Sequence, residues 1–156
     1  MKDLFVNLYE KDYLNEIKLK LKNEEVKIKR LLSPNSDNLI DFVTSHFNSQ
    51  WASEVKAGAY KENPTCFIAT HENEIVGFAC YDATAKGYFG PTGVNKNYRG
   101  QNIGQLLLLT TLNSMKEAGY GYAVIGSVGK DVVPFYSKYL NVIESNSKPN
   151  IYSRMI

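Results

Sequence analysis

Apolar and polar positions alternate in "EVKIKRLL" (25–32), where Val26, Ile28 and Leu31 or Leu32 stand between lysine and arginine. That is the period of a half-buried strand. Upstream, "LFVNLY" (4–9) reads as a short extended segment, and residues 12–22, with Leu14, Ile17 and Leu21 at helical spacing, predict one or two helical turns. Downstream, "SPNSDNLIDFVTSHF" offers Ser36 or Asp37 as an N-cap and sets Leu39, Phe42, Val43 and Phe47 on one helical face; a second helix covers 50–60. "TCFIATH" and "EIVGFACYDAT" predict two strands joined by the polar turn "ENE", and a three-residue turn at 72–74 sets Cys66 opposite Cys80. "KGYFGPTGVN" is extended but punctuated by Gly90, Pro91 and Gly93, a pattern that goes with a bulge or a close backbone approach.

The rest of the chain continues the alternation of elements. A helix over 103–118 ends at Gly119, "YAVIGSVG" is an apolar strand, and "DVVPFYSKYL" is a short helix capped by Asp131 with Pro134 in its first turn. "NVIES" and "NIYSRMI" predict a final hairpin. The resulting order is strand, two helices, three strands, helix, strand, helix, two strands. It predicts an α/β fold on a mixed, mainly antiparallel sheet of six to seven strands flanked by helices.

Composition changes this picture little. With 156 residues, 44 % hydrophobic and 22 % charged, the chain is expected to form one domain over 1–156, in which 1–24 is an N-terminal extension of unassigned role. A net charge of +2 gives no case for a nucleic-acid partner, and the lysine-dense segment 18–30, interrupted by Glu24 and Glu25, reads as a solvated face. No apolar run approaches the roughly 18 residues of a spanning helix and no signal pattern opens the chain, so a cytoplasmic protein without membrane contact is expected. Cys66 and Cys80 lie in strand-like runs without metal-ligand spacing, which favours buried, reduced thiols and no metal.

The chemistry concentrates in "YRGQNIGQ". Gly100, Asn102 and Gly104 are spaced by two, and each tolerates backbone angles that most side chains resist. At the start of a helix, with Arg99 beside it, such a turn suits a phosphate; a plain glycine-containing helix entry is the alternative. Neither GxxxxGK[ST] nor GxGxxG is present.

In its context, "GVNKNYRGQNIGQLLL", this turn resembles the acetyl-CoA signature of the GCN5-related N-acetyltransferases, the GNAT family, written R/Q-x-x-G-x-G/A. Arg99 and Gly104 match its ends and Asn102 replaces the middle glycine. The resemblance extends over 26–142. It implies a GNAT-like sheet splayed at the cofactor site between 90–95 and 122–127, with Gly93 and Gly126 permitting the thioester to approach. It implies acetyl-CoA as cosubstrate, its pyrophosphate on the amides of Arg99, Gly100, Gln101, Asn102, Ile103, Gly104 and Gln105, and its pantetheine arm against the backbone around Val94. It further implies the Val94 amide as oxyanion holder and Tyr136 as the acid that protonates the departing thiolate, in direct transfer of acetyl to a primary amine.

The acceptor is a separate question. Trp51 and Glu54, at i and i+3, share a helical face that suits ring stacking and an ammonium of an amino sugar; Trp51 as a core residue is the competing reading. Glu54 and Asp82 are the carboxylates available to hold the ammonium or relay its proton, each equally readable as solvated, while His46 and His71 sit where surface roles are expected. "GFACYDATAKGYFGPTGV" and "IESNSKPNIY" resemble bacterial acetyltransferases of glucosamine and cell-wall-derived glucosaminides. A small-molecule amine, first an amino sugar, is therefore the expected partner. A protein or peptide amine and a noncatalytic acyl-CoA-binding module are the alternatives, and exposed C-terminal strand segments leave a homodimer open.

Overall fold

In the computed structural model, which describes residues 1–20, 25–146 and 148–156, one mixed sheet runs through the molecule. Its strands are β1 (Lys2–Asn7), β2 (Lys27–Arg30), β3 (Cys66–His71), β4 (Glu74–Tyr81), β5 (Tyr88–Val94), β6 (Tyr122–Val128) and β7 (Val142–Ser145), in the order β2-β3-β4-β5-β6-β1-β7. Only β5 and β6 run parallel. The mixed, mainly antiparallel sheet expected from the pattern is the observed one.

Helices α1 (Tyr13–Lys20) and α4 (Ile103–Glu117) cover one face of the sheet, and α2 (Ser36–His46) and α3 (Ser49–Ala59) part of the other. A short α5 (Val133–Tyr139) follows β6. The leucine run of α4 is buried nearly all round, with Leu107, Leu109 and Leu112 at full burial, because the helix lies between the sheet and α1. In α1 the inward residues are Tyr13 and Ile17, whereas Leu14 is exposed, and Leu21 lies outside the described residues. Among the described residues no helix is long and apolar enough to cross a membrane.

The extended segment expected at 4–9 forms β1, which lies between β6 and β7 with Leu4 and Val6 in the core. Two local expectations are corrected. The predicted final hairpin does not form: β7 pairs with β1, and Ile151–Arg154 is a turn of 3-10 helix. Helix caps also shift. Asn35, not Ser36 or Asp37, precedes α2, and Val132, not Asp131, precedes α5, neither with a side-chain cap bond; Asn48 caps α3 by accepting from the Trp51 amide at 2.8 Å. Pro134 does sit in the first turn of α5, where no intrahelical N–H is needed.

The β3-β4 hairpin reaches its expected register by an unexpected route. Its turn has two residues, Glu72 and Asn73, both at positive φ, and a bulge where the register shifts after Ala69 takes up the difference. Cys66 and Cys80 still face each other, with Sγ atoms 3.0 Å apart as buried free thiols, and burial raises the Cys80 thiol well above its ordinary value.

Between the sheet and α2–α3 lies an aromatic cluster that later forms one wall of the site. Phe47 stacks on Trp51 at 5.2 Å, and Phe78 meets both edge-on at 5.7 and 6.4 Å. Gly93 on β5 makes room for it: a Cβ there falls 2.3 Å from Phe47 Cζ. Because Phe42, Trp51 and Phe78 hold that ring in place, Gly93→Ala is expected to lower stability by about 1–3 kcal/mol, read as a reduced urea midpoint at unchanged slope. An unchanged midpoint would show that Phe47 is free to move aside.

Candidate active site

Strands β5 and β6 pair only at Tyr88 with Val124 and Phe89 with Ile125, then part. β5 continues along β4 through Thr92, Gly93 and Val94, while β6 continues along β1. Asn95 donates its amide to the Val76 carbonyl at 2.8 Å, so in the alternating antiparallel pattern the Val94 N–H points away from β4, into the opening. The Val94 carbonyl is engaged by Arg99 Nε at 3.3 Å.

A cavity of about 930 Å3 occupies this opening. On one side it is lined by the turn before α4. Asn95 accepts from the Asn97 amide, a 3-10 turn carries Lys96–Tyr98, and Gly100 (φ 79°) and Asn102 (φ 65°, ψ 10°) adopt left-handed backbone. Asparagine therefore does take the glycine-like conformation. Gly104 does not; it is helical, and a Cβ there meets Phe135 and Val94 only at ordinary contact distance.

Arg99, Gly100, Asn102, Ile103, Gly104 and Gln105 all line the cavity, as do Gly93 and Val94; Gln101 is outside the lining. Gln105 is 3 % exposed, and its Nε2 is a buried donor without a partner among the described residues. An unpaired buried donor is costly. Tyr136, in α5, lines the same cavity at 5 % exposure with its ring edge-on to Phe89 and Phe135, and burial alone pushes its phenol well above the ordinary range.

The opposite side is polar. Trp51 and Glu54 both reach the cavity from α3, and the Glu54 Oε1 accepts from Thr84 Oγ1 at 2.7 Å. Trp51 reconciles its two readings: one face is stacked in the aromatic cluster, and it still lines the wall. Asp82 is not there. Its carboxylate accepts from the Gly87 amide at 2.7 Å and the Tyr120 hydroxyl at 2.6 Å, so it organises the β4-β5 loop instead. His46 is exposed against Phe42, and His71 pairs with the Tyr98 hydroxyl at 2.8 Å; neither lines the cavity. Among the described residues no group of three or more His, Cys, Asp or Glu is placed to hold a metal ion.

The glycine argument is corrected in part. The space beside Gly93 is filled by Phe47, and that beside Gly126 by Tyr152 and Tyr88, so both glycines admit protein aromatics rather than a thioester on those faces. Sequence reasoning missed Thr84, Phe135 and Tyr152; the first two lie in segments singled out for other residues, and the third in the mispredicted hairpin.

The model of the Acetyltransferase (GNAT) family matches residues 30–141. No curated protein sequence matches the chain. Among solved structures, a GCN5-related glucosamine N-acetyltransferase region of a fungal multi-domain GH3 beta-N-acetylglucosaminidase superposes with a TM-score of 0.74 at 15 % identity, over 92 % of this chain and 19 % of that one. This chain thus spans about a fifth of that protein. A GNAT family acetyltransferase from Brucella melitensis in complex with acetyl-CoA gives 0.57 at 18 % identity, over 72 % and 82 %. An aminoglycoside acetyltransferase from an uncultured soil metagenomic sample, in complex with trehalose, gives 0.57 at 21 % identity, over 74 % and 88 %. A family match over most of the chain, on a sheet parted in this way, means that the chain belongs to the GNAT acetyltransferases, whose acetyl donor is acetyl-CoA.

Proposed function

We propose that this protein transfers an acetyl group from acetyl-CoA to a primary amine, and that the acceptor is a small amino sugar. The observation that carries the first part is the unpaired edge of β5 running into the turn before α4, with the orphaned Gln105 Nε2 beside it. These residues fit coenzyme A. The Val94 N–H extends the ladder to an arm laid in the opening, and the amides of Arg99–Gln105 with the α4 dipole attract a diphosphate. Gln105 supplies a further neutral donor.

When bound, acetyl-CoA supplies an activated acyl carbon and a thiolate leaving group. The chain's own residues do the rest. Val94 N–H is a fixed donor on the β5 edge for negative charge developing on an acyl oxygen. Tyr136 holds a proton on its hydroxyl in a buried setting that keeps it neutral. An alkyl amine is protonated at neutral pH, so a proton acceptor is required; Glu54, anchored through Oε1 by Thr84, offers Oε2 for that purpose.

The amino-sugar reading rests on the acceptor side, where Trp51, Glu54 and Thr84 set an aromatic plane beside a carboxylate and a hydroxyl. Tyr152, seated against Gly126, lines the same cavity. Two structural neighbours, a glucosamine N-acetyltransferase region and an aminoglycoside acetyltransferase, support this reading.

Free-thiol release from acetyl-CoA with glucosamine, spermidine and a lysine peptide tests the reading. Turnover highest with glucosamine is expected; turnover only with the peptide would keep the enzyme and remove the sugar. Tyr136→Phe is expected to lower kcat about 100-fold while leaving acetyl-CoA binding intact. Because burial raises the Tyr136 pKa, its protonated form persists above the ordinary value of 10.0, and the wild-type kcat profile should show no falling limb from this group below pH 10.

Gln105→Met separates stability from binding. Removing a buried unpaired donor is expected to leave the protein as stable or to raise its Tm, while coenzyme A binding, followed by calorimetry, weakens. A lowered Tm with unchanged Kd would assign Gln105 to packing alone.

A further inference from the structure

The C-terminal turn reaches the site from the face opposite α4. Along β6, Ala123 and Ile125 point into the core beneath α4, so Gly126 faces the other side, where α3 lies. Having only hydrogen there, Gly126 admits the Tyr152 ring: the Tyr152 hydroxyl sits 2.6 Å, and Tyr88 Cε2 2.9 Å, from where a Cβ would be. Tyr152 and Tyr88 meet edge-on at 6.4 Å. Tyr152 thereby lines the same cavity as Trp51, Glu54 and Tyr136.

This placement is held by a buried carboxylate. Asp3 on β1 is 5 % exposed; its Oδ1 accepts from the Ser127 amide at 2.9 Å and its Oδ2 from Asn150 Nδ2 at 3.3 Å. Ser127 is the residue after Gly126 and takes a positive φ of 55°. Asn150 in turn accepts the Tyr152 amide on its own Oδ1 at 3.1 Å. A buried carboxylate is tolerated only when its oxygens are satisfied, so Asp3 couples the turn to the very part of β6 that lines the opening. The Tyr152 hydroxyl, by contrast, has no hydrogen-bond partner among the described residues. Burial first, then the charges of Glu54, Tyr88 and Asp3, push its pKa up to about 12, so it stays a neutral donor and acceptor.

We propose that Tyr152 is an acceptor-binding residue, its hydroxyl and the Glu54 carboxylate together seating the amine of a polyhydroxylated acceptor in the cavity that both line. The inference rests on the acetyltransferase reading above. A phenol whose oxygen accepts from an ammonium or a sugar hydroxyl, beside a carboxylate that takes the charge, supplies both contacts such an acceptor needs. The position is legible only through the fold, because Asp3 and Asn150, whose contact holds the turn, are 147 positions apart.

Tyr152→Phe keeps the ring in its seat and removes the hydroxyl. On the amine with the highest kcat/KM among glucosamine, spermidine and a lysine peptide, its KM for that amine is expected to rise about tenfold, with KM for acetyl-CoA within about twofold of wild type. Asn150→Ala, which releases the turn from Asp3, is expected to move the amine KM the same way by a smaller factor. An unchanged amine KM in Tyr152→Phe would make the ring a plug only and overturn the inference. If Tyr152→Phe loses its cooperative melt, the decision passes to Asn150→Ala, where an unchanged amine KM likewise overturns it. Absence of thiol release by the wild type with every amine would instead overturn the acetyltransferase reading itself, a result that the variants cannot produce.

Discussion

Two backbone pairings join β5 to β6, and the site exists because they stop there. Each strand has a stronger commitment on its other edge: β5 follows β4 as far as Val94, and β6 is drawn to β1, where Asp3 takes the Ser127 amide. Beyond Phe89 the β5 edge therefore faces the cavity without a strand partner.

The two sides of the opening differ in kind, which separates their tasks. Toward α4 the lining is the turn with left-handed backbone at Gly100 and Asn102, followed by the buried Gln105. Toward α3 it is formed by side chains, among them those of Trp51, Glu54 and Tyr152. Trp51 is stiff because Phe47 and Phe78 pack against it, and Phe47 fits because position 93 carries no side chain. A core cluster thus sets the position of a cavity wall, and Gly93 serves both.

What was legible locally was what local physics controls. The alternation in 66–81 set the Cys66–Cys80 pairing even though the turn was two residues rather than three, because burial of one face fixes register and the bulge absorbed the difference. Asn102 read correctly as a left-handed residue because that tolerance is intrinsic to its side chain. Asp82 misled: a carboxylate at a strand end looks free in sequence, and only the folded loop supplies the Gly87 and Tyr120 donors that engage it.

The sequence by itself determined most of the strand and helix periods up to β7, the turn before α4, the tyrosine of α5 and the family to which they belong. Periodicity and turn chemistry act over a few residues, so they survive without a fold. Tertiary structure alone decided that the first strand enters the sheet between β6 and β7 and that the last residues abandon a hairpin for a 3-10 turn under Gly126. Asp3, which accepts from Ser127 and Asn150, ties the first strand both to β6 and to the C-terminal turn, and no local pattern encodes a contact of that span.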